Sequence, residues 1–134
     1  MPLFKPALVL LAGGAGYAAL ELLCRGRTHW SMFLCGGLCT VLIGLLNERA
    51  PALPLSVQAF AGACIITALE LVFGLLFNRR YAVWDYRALS HNFMGQICPQ
   101  FFSCWIFAAL LAVFLDDGVR YLAFGEPFPV YRLL

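Results

Sequence analysis

An apolar run of about 23 residues, from Leu55 to Phe77, carries a single formal charge, Glu70, and this limits the chain more than any other feature. A helix over that run is ~35 Å long at 1.5 Å per residue, enough to cross a hydrocarbon layer of roughly 30 Å. A carboxyl group at that depth is costly unless it is neutral, paired, or turned towards protein or water. The run therefore predicts a membrane crossing whose Glu70 face is packed or functional.

The rest of the chain agrees with a membrane class. Hydrophobic residues make up 63% of the 134 residues and charged residues 12%, with a mean hydropathy of +0.85. These values lie far from those of soluble domains. The length allows four crossings with short connections and leaves no room for a soluble catalytic or nucleotide-binding domain of ordinary size. A formal charge of +2, scattered along the chain, excludes nucleic acid as a natural partner. The six cysteines fall mostly within apolar stretches without Cys-x-x-Cys spacing, so they read as small buried hydrophobes and no metal or redox site is expected. No cofactor motif is present.

The periodicity predicts an all-α, four-helix transmembrane bundle forming one domain over 1–134, with helices at about 6–24, 31–48, 55–78 and 90–115. The first run has Lys5 before it and small residues near its end, like a cleaved leader, but is read as the first crossing. Its small residues form Ala12/Gly16 and Gly14/Ala18 pairs that let another helix approach closely. Ser31 is the expected cap of the second helix. Gly36, Thr40 and Gly44 recur every four residues and lead to Glu48, a slim stripe expected to face protein. Pro51 and Pro54 punctuate the next loop. In the third helix Thr67, Glu70, Gly74 and Asn78 share one face.

The segment 81–100 is amphiphilic, with Trp84, Asp85, Tyr86, His91, Asn92 and Gln96, and is expected to be interfacial or re-entrant, turning into the last crossing near Ser90 or Pro99. Residues 116–134 read as a surface-lying tail. The loops joining helices one to two and three to four hold five Lys and Arg, whereas the termini and the middle loop hold four. This bias weakly favours a cytoplasmic position for the former.

Several polar signatures in order resemble a known family: Ser31 to Gly37, Gly44-Leu45-Leu46-Asn47-Glu48, Thr67 to Glu70 with Gly74 and Asn78, Trp84-Asp85-Tyr86, and Asn92 with Gly95-Gln96-Ile97-Cys98. Over roughly residues 10 to 115 the chain resembles the ABC-transporter permeases of type IV, CmpB-like small bacterial membrane proteins. The chain departs from that family's usual pattern in carrying Arg87 and His91. The resemblance implies a multi-pass protein of the bacterial inner membrane with an ABC ATPase as a partner, and it assigns no individual residue a role.

From the residues themselves, Glu70, Asn78, Asp85, Asn92, Gln96, Glu48 and Asn47 are the candidates for a shared polar pathway. Carboxylates and amides together line hydrated cavities, exchange protons or coordinate cations. His91, of the residue type most often used to pass protons, is a candidate proton relay. A purely structural role for Glu70, accepting hydrogen bonds from Trp84, Tyr86 or Asn92, competes with the pathway role. The two histidines are too far apart in sequence to suggest a metal site. Ser90, His91 and Asp85 are too close along one segment to form a hydrolase triad, and no nucleophile elbow is present. No catalytic residue is assigned.

The leading expectation is a small transporter or channel for an ion or small solute, acting as a homo-oligomer and in contact with membrane lipid. An ABC permease subunit is an alternative. So is a structural or lipid-interacting protein, including a small intramembrane enzyme acting on lipid.

Overall fold

The computed structural model describes residues 3–134, in which four helices take up the apolar runs: α1 (Phe4–Arg25), α2 (Trp30–Arg49), α3 (Leu55–Phe77) and α4 (Pro99–Phe124). Each is long and apolar enough to cross a membrane. Their outward faces carry large hydrophobics such as Leu23, Phe60, Leu76, Phe107 and Leu122, all exposed. Such residues suit acyl chains and would be a liability in water. The chain is all-helical, without strands among the described residues; a lone Phe93/Ile97 bridge lies in a loop.

The helix ends follow from local chemistry. Pro6 sits in the first turn of α1, where its missing N–H costs nothing. Gly26, in the left-handed region at φ 72°, terminates that helix. The cap of α2 is His29 rather than Ser31: the imidazole Nδ1 accepts from the Ser31 amide at 3.2 Å, and Ser31 lies buried inside the first turn. Pro99 opens α4. The last helix thus starts at the later of its two expected positions, Pro99 rather than Ser90, and runs past the expected end at 115 to Phe124. Asp116 and Asp117 lie inside it, because their carboxylates pair with Arg120 one turn on and face the bundle.

α1 packs most extensively on α2 and least on α4, with no contact to α3, while α2 touches all three other helices. The α1/α2 contact is a close backbone approach. A Cβ on Gly14 would stand 2.6 Å from the Phe33 carbonyl oxygen, and one on Gly37 would stand 2.5 Å from that of Leu10. The stripe expected on α2 does face protein: Gly36 lies against Tyr17, Thr40 against Gly13 and Gly44 against Asp116. Gly37→Leu should cost about 1–3 kcal/mol, because backbone cannot retreat as a side chain can. Unfolding of the purified protein in detergent micelles, compared with that of Leu38→Ala on the same helix, measures it.

Two faces of the bundle differ in construction. At one, here the loop face, residues 78–98 fold into an irregular plug between α3 and α4. At the other, the tail face, residues 126–134 return over the end of the bundle. Pro54 gives α3 no side-chain cap, and the tail carbonyls of Arg132 and Leu133 accept from the Leu55 and Ser56 amides at 2.6 and 3.3 Å. The tail is therefore a helix cap as well as a surface segment.

Candidate functional site

Glu70 is only 3% exposed and sits seven residues from the loop end of α3, ~10 Å below it. Its Oε2 accepts from the Tyr86 hydroxyl at 2.8 Å, and its Oε1 accepts from the Trp105 indole at 3.2 Å. Tyr86 reaches down from the loop plug, stacked on Phe101 at 4.6 Å between ring centroids. Burial and the neighbouring carboxylate push the Tyr86 hydroxyl well above its ordinary value, so it remains a donor. A carboxylate offers about four acceptor positions. Two are taken.

Glu70 also belongs to the wall of a cleft of about 470 Å³ lined by α1, α2 and α4, to which α3 contributes Ile66 and Glu70. Tyr17, Met32 and Trp105 lie near the Glu70 end; Ile43 and Leu115 mark the far end. From Met32 to Ile43 the cleft extends about 16 Å along α2. No Lys, Arg or His lines it, and Glu70 is its one formally charged residue. Thr40, also on the wall, spends its hydroxyl on the Gly36 carbonyl at 2.8 Å. Exposed Leu20, Leu111 and Phe114 stand at the cleft between the sparsely packed α1 and α4.

The other candidates separate into three groups. Asn78 and Gln96 are buried side by side above Glu70's helix, joined at 2.9 Å, and act together as the centre of the plug. Asn78 Oδ1 accepts from the Val83 and Trp84 amides, its Nδ2 donates to the Trp84 carbonyl at 2.7 Å, and Gln96 Nε2 returns a bond to the Asn78 carbonyl. Gly74 leaves the space into which the Gln96 side chain fits.

Asp85, Asn92 and His91 do not reach Glu70. Asp85 points outward in a bidentate pair with Arg87 at 2.9 and 2.8 Å, and these hydrogen bonds, with that of the Arg87 amide, hold its carboxyl down at about 2. A group so far from neutrality is a poor proton carrier. Asn92 closes the turn by donating to the Arg87 and Leu89 carbonyls and accepting from Gly95. His91 is exposed at a left-handed turn position, φ 60°.

Asn47 and Glu48 lie at the tail face, near the opposite end of the bundle. There they join a network that sequence reasoning missed: Lys5, Asp116, Asp117, Arg120, Glu126 and Tyr131. Arg120 bonds Asp116 at 3.2 Å, Glu126 at 3.1 Å and Asp117, and lies 4.0 Å from Glu48. Lys5 bridges Glu48 and Glu126 at 3.1 and 3.2 Å. Asn47 and Tyr131 donate to the two oxygens of Asp117 at 2.8 and 2.6 Å. Burial and that bond raise the Tyr131 hydroxyl, which keeps it protonated. Beside this network Gln58 lines a polar pocket of about 110 Å³, and its Oε1 is the one buried side-chain polar atom among the described residues without a partner. The visible signal was the spacing Asp116, Asp117, Arg120, which places both acids one turn from one cation.

Among the described residues no group of three His, Cys, Asp or Glu is placed to hold a metal ion. Residues 17–122 match the family described as "Putative ABC-transporter type IV" (ABC_trans_CmpB). The chain belongs to this family. No curated protein and no solved structure matches it. The matched span contains the Glu70 cleft apart from Gly13 and Gly16, the loop plug, and the Asn47, Asp116, Asp117 and Arg120 part of the tail-face network. Membership together with four apolar helices makes this a multi-pass membrane protein of transport type.

Proposed function

We propose that the protein is a small membrane transporter that holds its solute in the cleft between α1 and α4, with Glu70 as the polar contact. The observation that carries this reading is a buried carboxylate with two unused acceptor positions on the wall of a cleft inside the spanning region. A buried acid kept only for architecture has no need of a cavity beside it. The loop plug reaches the Glu70 end of the cleft through Tyr86, and the Asp116, Asp117 and Arg120 layer lies beyond its other end, where Asp116 packs on Gly44. The two layers act as the gates between which a solute is occluded.

The family description favours an ATPase partner, and the face for it is the one with the loop plug, where Arg25, Arg27, Arg79, Arg80 and Arg87 concentrate positive charge. That bias, five Lys and Arg against four, weakly favours the cytoplasmic side of the cell membrane for the loop face. Association of several copies through the exposed apolar faces completes the enclosure that four helices alone leave partial.

Purified protein in liposomes, tested by flux of a panel of ions and of polar and amphipathic metabolites, checks the proposal. At least one solute should cross faster than through protein-free vesicles. Glu70→Gln should lower that flux roughly tenfold or more, in line with a lost charge-assisted hydrogen bond. Flux indistinguishable between the original chain and Glu70→Gln, or absent throughout the panel, overturns it.

A further inference from the structure

The cleft joins three properties that a site for a hydrated ion does not combine. Its walls are apolar apart from one end, no cation lines it, and Leu20, Leu111 and Phe114 are exposed at its rim, where the surrounding medium is lipid. An ion stripped of water there would meet a single carboxylate and hydrocarbon, a poor exchange for its hydration shell. An apolar chain would lose nothing on entry and gain close packing.

We infer that the cleft takes a single-chain amphiphile from the bilayer, its neutral or cationic hydrogen-bond-donating head against Glu70 and its apolar chain running between α1 and α4 towards Leu115. The inference rests on the reading of the cleft as the solute site and names the class of that solute. The head must donate, because the free positions at Glu70 are acceptors while Tyr86 and Trp105 already fill the donor roles. An anionic head is excluded, since it would face the Glu70 carboxylate with no Lys, Arg or His on the wall to balance it. Hydroxyl and amine heads both satisfy this chemistry.

Polarity fixes the direction as well. Glu70 lies at the loop end of the cleft, ~10 Å from the end of α3, and the apolar walls continue towards the middle of the bundle. This matches the orientation of an amphiphile in the leaflet on the loop side, so it slides in between α1 and α4 without turning over.

Trp105 supplies the readout, because its indole both lines the cleft and bonds Glu70. The full chain in detergent is titrated with long-chain bromoalkanols carrying bromine either beside the hydroxyl or at the far end. The quenching is compared with that of Trp105→Phe, which removes the contribution of Trp30 and Trp84. Bromine beside the hydroxyl should quench Trp105 several-fold more than bromine at the far end, and a bromoalkylamine should behave alike. A bromoalkane or a bromoalkanoate of equal length should bind at least tenfold more weakly. Gly16→Leu, at a position where an added Cβ meets nothing nearer than 4.0 Å, fills the cleft without touching Glu70 and should abolish the effect.

Equal quenching by the alkane, stronger quenching from the far-end bromine, or unchanged quenching in Gly16→Leu overturns the inference. Alkanol binding with no flux of any solute would support the amphiphile site and remove the transport reading. Flux that survives Gly16→Leu and shows no alkanol dependence would remove the amphiphile site and leave transport standing.

Discussion

Arg120→Ala should be the most destabilising single change at the tail face, costing about 3–5 kcal/mol, the scale for stripping one partner from a buried charge pair. Asp116 and Asp117 are 1% and 2% exposed, and Arg120 bonds both. Without it Asp117 keeps the Asn47 amide and the Tyr131 hydroxyl, and Lys5 still bridges Glu48 and Glu126. Asp116 keeps no side-chain partner. It is also wedged against Gly44, where even a Cβ would stand 2.6 Å from its Cγ, so it has little freedom to swing out to water. Arg120→Lys retains the charge and loses the fork that reaches several carboxylates at once, so its cost should be intermediate. Combining Arg120→Ala with Asp116→Asn should recover part of the loss, because a neutral amide no longer needs a cation. Reversible unfolding in bicelles of the original chain, Arg120→Ala, Asp116→Asn and the double variant gives the coupling energy of this cycle directly. Additive losses would show that Arg120 acts through Asp117 and Glu126 alone.

That network also marks where the sequence stopped being readable. The starts and ends of α1 to α3 lie within about two residues of their expected places, because proline, glycine and charge punctuate long apolar runs. α4 runs about nine residues past its expected end at 115 for a physical reason. Asp116 and Asp117 look like an interface marker when read singly, yet they turn inward on a helix that continues two more turns, held by a cation three and four residues on.

Glu70 stood out because nothing else in its run is charged, and its seclusion from lipid follows from cost alone. Its partners were only half legible. Tyr86 was named among possible donors, whereas Trp105 lies 35 residues away on another helix, and no local spacing links the two. Asp85, Asn92 and His91 sit in an irregular segment, where no period decides which side chains point inward. There the side chains with backbone amides nearby, such as Asn92 and Asp85, satisfy the turn they belong to. The cleft itself was invisible, since it arises from the sparse α1/α4 contact and not from any one residue.

Asn78→Ala should release the loop plug and cost ~3–5 kcal/mol, close to the effect at Arg120 although no charge is involved. The side chain, on a residue 1% exposed, meets four groups: the Val83 and Trp84 amides at 2.9 and 3.3 Å, the Trp84 carbonyl at 2.7 Å and the Gln96 carboxamide oxygen at 2.9 Å. Each buried group left without a partner costs about 1–3 kcal/mol, and the total falls short of the sum because a loosened loop admits water. Asn78→Asp separates the two halves of the amide. Its oxygen can still accept from the Val83 and Trp84 amides, while the lost donor faces the Trp84 carbonyl and the Gln96 oxygen. Amide hydrogen exchange should therefore speed up at Val83 and Trp84 in Asn78→Ala more than in Asn78→Asp, with the middle of α2 unchanged in both. The consequence reaches the cleft through Tyr86, which hangs from the same loop and supplies one of the two donors to Glu70. If the plug holds that tyrosine in place, Asn78→Ala should weaken alkanol quenching of Trp105 without touching any residue of the cleft wall. Exchange at Val83 and Trp84 as slow as in the original chain would mean that packing of Trp84 and Tyr86, rather than the Asn78 side chain, holds the loop.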